Sequence, residues 1–191
     1  GDEGWGAVIS GVCASKVSKI SSVDASYESI GPAGAMVIGE ALRTSVNSVL
    51  TEIDLRGNSL GTEGWCAIFN ALRDNKENKI AKWDLSGQQL DAEVAKAIGE
   101  YVAVSSVLTY LNLSYNDIGG YDNDDDELVP TPEGPAAIAD ALRVNGVHGT
   151  SYRPREHAGG VMRRVVARVH DLRLQAAREA QRSADEARRQ Q

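Results

Sequence analysis

Leu50-Thr51-Glu52-Ile53-Asp54-Leu55-Arg56-Gly57-Asn58-Ser59-Leu60 is the stretch on which the reading of the whole chain turns. It recurs without a gap as Ile20 to Ile30, as Ile80 to Leu90 and as Leu108 to Ile118. All four copies hold apolar residues at positions 1, 4, 6 and 11. The last three also place an amide at position 9: Asn58, Gln88 and Asn116. Their starts lie 30, 30 and 28 residues apart. A fixed period in this range is the signature of stacked structural units.

Positions 4 and 6 alternate as in a short strand with both side chains directed inward. An amide at position 9 can then bond backbone groups that the following turn leaves unpaired. Each strand is followed by a helical pattern. Ile38/Ala41/Leu42, Ile68/Ala71/Leu72, Ile98/Tyr101/Val102 and Ile138/Ala141/Leu142 repeat one i, i+3, i+4 apolar stripe. A strand–turn–helix unit of this size cannot bury its stripe alone, but stacked neighbours can. The expected fold is α/β, a solenoid with a curved parallel sheet on one side and helices on the other.

At these positions the chain resembles the long leucine-rich repeats of the ribonuclease-inhibitor type, shared by ribonuclease inhibitor, NOD-like receptors, Ran GTPase-activating protein and tropomodulin. The resemblance covers roughly residues 3–145. Departures are Ala25 and Glu28 in the first repeat, Trp83 and Gln88 in the third, and an insertion in the fourth. Glu3-Gly4-Trp5 also matches Glu63-Gly64-Trp65, and Ala7-Val8 matches Ala67-Ile68, so the chain opens on a helix with no strand before it. With no initiator Met, that beginning reads as a portion of a longer protein.

The chain has 191 residues and a formal net charge of −7, with 42% hydrophobic and 25% charged residues. This is an ordinary globular composition. No stretch approaches the roughly 18 unbroken apolar residues of a membrane-spanning helix. Cys13 and Cys66 lie in apolar segments without metal-type spacing to a histidine, and read as reduced core thiols in an intracellular, cytoplasmic protein. The charge is divided unevenly. Residues 1–150 carry 10 basic and 22 acidic side chains, whereas 151–191 carry ten Arg and five acids. The expected organisation is a solenoid over 1–146 with an insertion at about 119–132, a linker or irregular cap over 147–160, and an Arg-rich amphipathic helix over 161–191.

Side chains at positions 3, 5 and 7 leave the sheet on its concave face. Position 3 is Ser22, Glu52, Lys82 and Tyr110; position 5 is Asp24, Asp54, Asp84 and Asn112; position 7 is Ser26, Arg56, Ser86 and Ser114. Parallel strands lie about 4.8 Å apart, so three aspartates in one row would repel one another and favour a cationic partner. Arg56 and Lys82 would partly neutralise them. The residues expected to bind a partner are Asp24, Glu52, Asp54, Arg56, Lys82, Asp84, Ser86, Tyr110, Asn112 and Ser114 on this face, with Arg163, Arg164 and Arg168 on the tail.

The insertion is the most acidic segment. Asp122, Asp124, Asp126 and Glu133 fall at positions 1, 3, 5 and 12 of a calcium-loop template. Position 6 holds Glu127 where that loop needs Gly, two prolines follow and no helix precedes, so a solvated acidic loop is the reading. In the tail, Met162, Val165, Val169, Leu172 and Ala176 form a seam for packing against another surface. The opposite face is Arg-rich and open to an acidic protein, or less favourably to nucleic acid or an anionic membrane.

No Gly-rich phosphate loop, nucleophile elbow or zinc-protease helix is present, and the three histidines lie beyond the repeats. The expectation is a non-enzymatic protein-interaction scaffold or subunit of a multi-subunit assembly, needing no cofactor. The alternatives are a regulator of a small GTPase, which the resemblance implies, and an RNA-associated subunit using the basic tail.

Overall fold

A computed structural model describes residues 1–45, 49–122, 128–145 and 150–151. In chain order they form α1 (Asp2–Ala14), β1 (Ser22–Asp24), α2 (Pro32–Thr44), β2 (Glu52–Asp54), α3 (Gly61–Asp74), β3 (Lys82–Asp84), α4 (Ala92–Val104), β4 (Tyr110–Asn112), β5 (Gly120–Asp122), β6 (Leu128–Pro130), α5 (Glu133–Asn145) and β7 (Thr150–Ser151). The main sheet is parallel, in the order β1-β2-β3-β4-β7. Each repeat therefore contributes one strand, as the periodicity requires. Helices pack about 8–10 Å apart and strands about 4.8 Å apart, so the sheet side is the inner, concave side.

The expected core is the observed one. Val23, Ile53, Trp83 and Leu111 at position 4 are buried, as are Ala25, Leu55, Leu85 and Leu113 at position 6, and Ile30, Leu60, Leu90 and Ile118 at position 11. The helical stripes of α2, α3 and α4 close over them. Position 1 is buried at Leu50, Ile80 and Leu108, but Ile20 is 48% exposed, because β1 is the edge of the sheet with no preceding unit beside it.

The match of α1 to α3 is corrected in register. Ile68 is fully buried, yet its sequence counterpart Val8 is 50% exposed. The buried stripe of α1 is instead Ile9, Val12 and Cys13, which keeps the i, i+3, i+4 spacing one residue later.

In the insertion, β5 and β6 form an antiparallel pair, Gly120 opposite Pro130 and Asp122 opposite Leu128, and α5 follows. Thr150 and Ser151, within the segment read as a linker or irregular cap, pair with Leu111 and Asn112 and add a fifth strand. The remainder of that segment and the tail helix expected over 161–191 lie outside the described residues. Among the described residues, no helix is long and apolar enough to cross a membrane.

Candidate functional site

The strand face is organised by one local device. In every unit the position-5 side chain accepts a hydrogen bond from the position-7 backbone N–H: Asp24 from Ser26 (3.0 Å), Asp54 from Arg56 (2.9 Å), Asp84 from Ser86 (3.1 Å) and Asn112 from Ser114 (3.1 Å). Asp and Asn favour this bond two residues along the chain because it fixes a turn. The Ser26 and Ser86 hydroxyls donate to the same oxygens, at 2.6 and 2.7 Å. The expected row stands, with Asp24 opposite Asp54 and repelled by its charge, and these bonds offset that repulsion. These carboxylates cap the strand ends from within their own units.

Arg56 completes the neutralisation. Its guanidinium donates to both oxygens of Asp54, Nη2 to Oδ2 at 2.6 Å, while Nη1 lies 3.6 Å from Oδ2 of Asp84. On the next row Lys82 Nζ lies 3.7 Å from Glu52 Oε2. Hydrogen bonds from Arg56 hold the Asp54 carboxyl below its usual range, and those from Ser26 do the same for Asp24. The Arg56 guanidinium, bonded to Asp54, is held more firmly protonated in turn.

Six of the expected residues, Glu52, Asp54, Arg56, Lys82, Asp84 and Tyr110, line a cavity of about 350 Å³ on this face, with Ile53 as a further wall. Asp24 and Ser86 lie on the same face outside its lining, and Asn112 Nδ2 donates to Asp84 Oδ1. Ser114 is only 4% exposed, on the side where β7 extends the sheet, so it is not presented to a partner. Arg163, Arg164 and Arg168 lie outside the described residues, as do Asp124 and Asp126 of the calcium template. Asp122 ends β5 and Glu133 opens α5. Among the described residues, no group of His, Cys, Asp and Glu is arranged to hold a metal ion.

Two exposed rings escaped the sequence reading. Position 8 is Gly57 and Gly87 in the middle units but Tyr27 and Tyr115 in the outer ones, and all four have positive φ. Tyr27 is 81% exposed, and its ring lies over Gly57. The signal was the Tyr–Gly–Gly–Tyr alternation down one column of the repeat.

The two cysteines are free thiols. Burial pushes the Cys66 thiol up to about 11, helped by the nearby Glu93, Asp91 and Glu100, and burial also raises Cys13. Neither is poised as a nucleophile.

A strand inside, a helix outside and one such unit every 28 to 30 residues define the leucine-rich-repeat solenoid. The family described as Leucine Rich repeat matches residues 46–68 and 104–120, which contain the β2 and β4 units. Among solved structures, the chain is similar to "Leiomodin-1 Actin-Binding Site 2 (ABS2)", with a TM-score of 0.58 at 17% identity, covering 95% of this chain and 96% of that one. At that identity the likeness is one of fold. No curated protein matches the sequence significantly.

Proposed function

We propose that this chain is a non-enzymatic protein-interaction module that receives its partner on the concave strand face. The observation that carries the reading is the cavity there, whose charged and aromatic lining comes from three consecutive strands at positions 3, 5 and 7. Extended faces of this kind are what solenoids characteristically use for binding. The face mixes signs, so it favours a partner whose charges interleave with Glu52, Arg56 and Lys82 over a uniformly cationic one. Tyr110 and Tyr27 supply the amphipathic rings that often dominate binding energy at an interface. A role as scaffold or subunit of a larger assembly, with the Arg-rich segment as a second contact, belongs to the same proposal.

The solved structure of similar fold is titled as an actin-binding site, which makes actin the first purified candidate to test. The experiment places a photo-crosslinking amino acid at Lys82 or Tyr110 on the strand face, or at Lys96, exposed on α4. Saturable crosslinks from 82 and 110, with none from 96, are expected with actin or with proteins of native extract. Crosslinks from 96 alone, or binding without any from the strand face, overturn the reading.

A further inference from the structure

The seams between neighbouring units are not equivalent. At the first, between the β1 and β2 units, three residue pairs are in register, and the turns are bonded across by Ala25 N to Asp54 O, Tyr27 N to Arg56 O and Ser59 N to Ile30 O, each 2.9 Å. Asn58 at position 9 reaches into the preceding unit. Its Nδ2 donates to Ala25 O at 2.8 Å, and its Oδ1 accepts from Glu28 N and Ile30 N at 3.0 Å. The seam between the β3 and β4 units repeats the scheme with Leu85 N to Asn112 O, Gly87 N to Ser114 O and Asp117 N to Leu90 O. There Asn116 donates to Leu85 O at 2.7 Å and accepts from Leu90 N at 3.1 Å.

The middle seam begins in the same way and then opens. Ala81 N donates to Thr51 O at 2.8 Å and Glu52 pairs with Lys82, but the pairing ends there. The equivalent bonds from Leu55, Gly57 and Gln89 are not made. Gln88, in the position of Asn58 and Asn116, turns back to Ser86 O of its own turn at 3.0 Å. A cavity of about 540 Å³ occupies the gap, lined on one side by Gly57 to Thr62 and on the other by Gly87, Gln88 and Gln89. A bulky side chain stands beside the gap as well. Position 4 is Trp83 where the other units have Val, Ile or Leu, and it packs on Phe69 (ring centroids 5.3 Å) and Trp65 (6.4 Å).

The geometry points to a hinge at this seam, dividing the solenoid into a block carrying β1 and β2 and a block carrying β3, β4 and β7. The buried rings of Trp65, Phe69 and Trp83 form the pivot. The turn edge, where Thr62 Oγ1 donating to Asp91 Oδ2 is a remaining bridge, provides the room, and the exposed Arg56–Asp84 and Lys82–Glu52 pairs on the strand face, with Arg73–Glu100 between α3 and α4, are the latch. Solvent-exposed ion pairs are screened by salt, whereas the backbone and Asn bridges of the flanking seams are not. The concave cavity draws residues from both blocks, so its width follows the hinge; that consequence alone rests on the binding reading above.

The test is an electron-spin distance measurement on the full chain without any partner, so its result is independent of whether the concave face binds. With Cys13→Ala and Cys66→Ala as background, labels at Ala33→Cys and Glu93→Cys span the middle seam. Labels at Glu3→Cys and Glu63→Cys span the same 60 residues without crossing it. The distance distribution of the first pair is expected to be about twice as broad as the control at about 0.5 M salt, and narrower at low salt where the latch holds. Gln88→Asn, which supplies the missing bridge to Leu55 O and Leu60 N, is expected to bring it to the control width. Equal widths for the two pairs at both salt concentrations overturn the hinge. A broad distribution that ignores both salt and Gln88→Asn overturns it too, because the latch and the missing bridge are its cause. Should the cysteine-free background fail to fold by circular dichroism, fluorinated phenylalanines at the same four sites read the exchange by ¹⁹F NMR with the native cysteines kept, and equal linewidths across the two pairs overturn the hinge.

Discussion

Asn58 and Gln88 stand at the same position of successive units and differ by one methylene, yet they do opposite things. Asn58 crosses into the unit before it and satisfies four backbone groups there and in its own turn. Gln88 stays within its own turn. In a stacked architecture each unit contacts only its neighbours, so cohesion is a sum over seams and one weak seam is felt locally. The side chain at position 9 therefore bears on the join between two units, while each unit keeps its own strand, turn and helix.

The largest expected effect falls on the pivot. Phe69→Ala empties the centre of the ring cluster and should cost about 3–5 kcal/mol in urea unfolding, since nothing nearby can refill the volume. The contrast between the amides comes next. Asn116→Ala strands the buried Leu85 O and Leu90 N and is expected to cost about 2–3 kcal/mol, whereas Gln88→Ala should cost about 0.5 kcal/mol. Equal losses at the two positions would erase the distinction between the seams.

Much of this was legible in the sequence. Positions 4, 6 and 11 are buried as the alternation requires, and the helical stripes of α2 to α4 cover them. The amide at position 9 was read correctly as a bonder of turn backbone. What could not be read was direction. Asp24, Asp54 and Asp84 do stand in a row, as their spacing indicates; whether each also folds back onto its own position-7 N–H is decided by backbone geometry. The burial of Ser114 and the fifth strand, Thr150–Ser151, too short to announce itself, were equally unread. The one-residue shift in α1 was hidden because Val8 and Ile9 are both apolar, and only packing chooses between them.

Smaller effects sharpen the comparison at the turns. Gly57 and Gly87 both occupy the left-handed region, with φ of 70° and 67°, so alanine at either should cost about 1 kcal/mol of backbone strain. Gly57→Ala must in addition displace the Tyr27 ring, whereas nothing lies within 4 Å of a Cβ at Gly87. The NMR shifts of the Tyr27 ring protons should move with the first substitution and stay fixed with the second.

The smallest effect is one of pH. Arg56 holds the Asp54 carboxyl below its ordinary value, so the pair's contribution is complete above about pH 4 and is lost as pH falls through the lowered folded value. Unfolding midpoints of parent and Arg56→Gln should therefore differ at pH 6 and converge toward pH 2. A gap that persists undiminished in acid would mean Arg56 acts through packing alone.

The bond from position 7 back to position 5 has one more consequence, for which side chains of the strand face are free to vary. Because the carboxylate or amide at position 5 is committed to the backbone, it cannot be traded without loosening the turn. The neighbouring column of Ser22, Glu52, Lys82 and Tyr110 carries no such obligation. Under the proposed binding role, recognition could be rewritten in this column without touching a turn, with only the Glu52–Lys82 pair also serving the seam between two units.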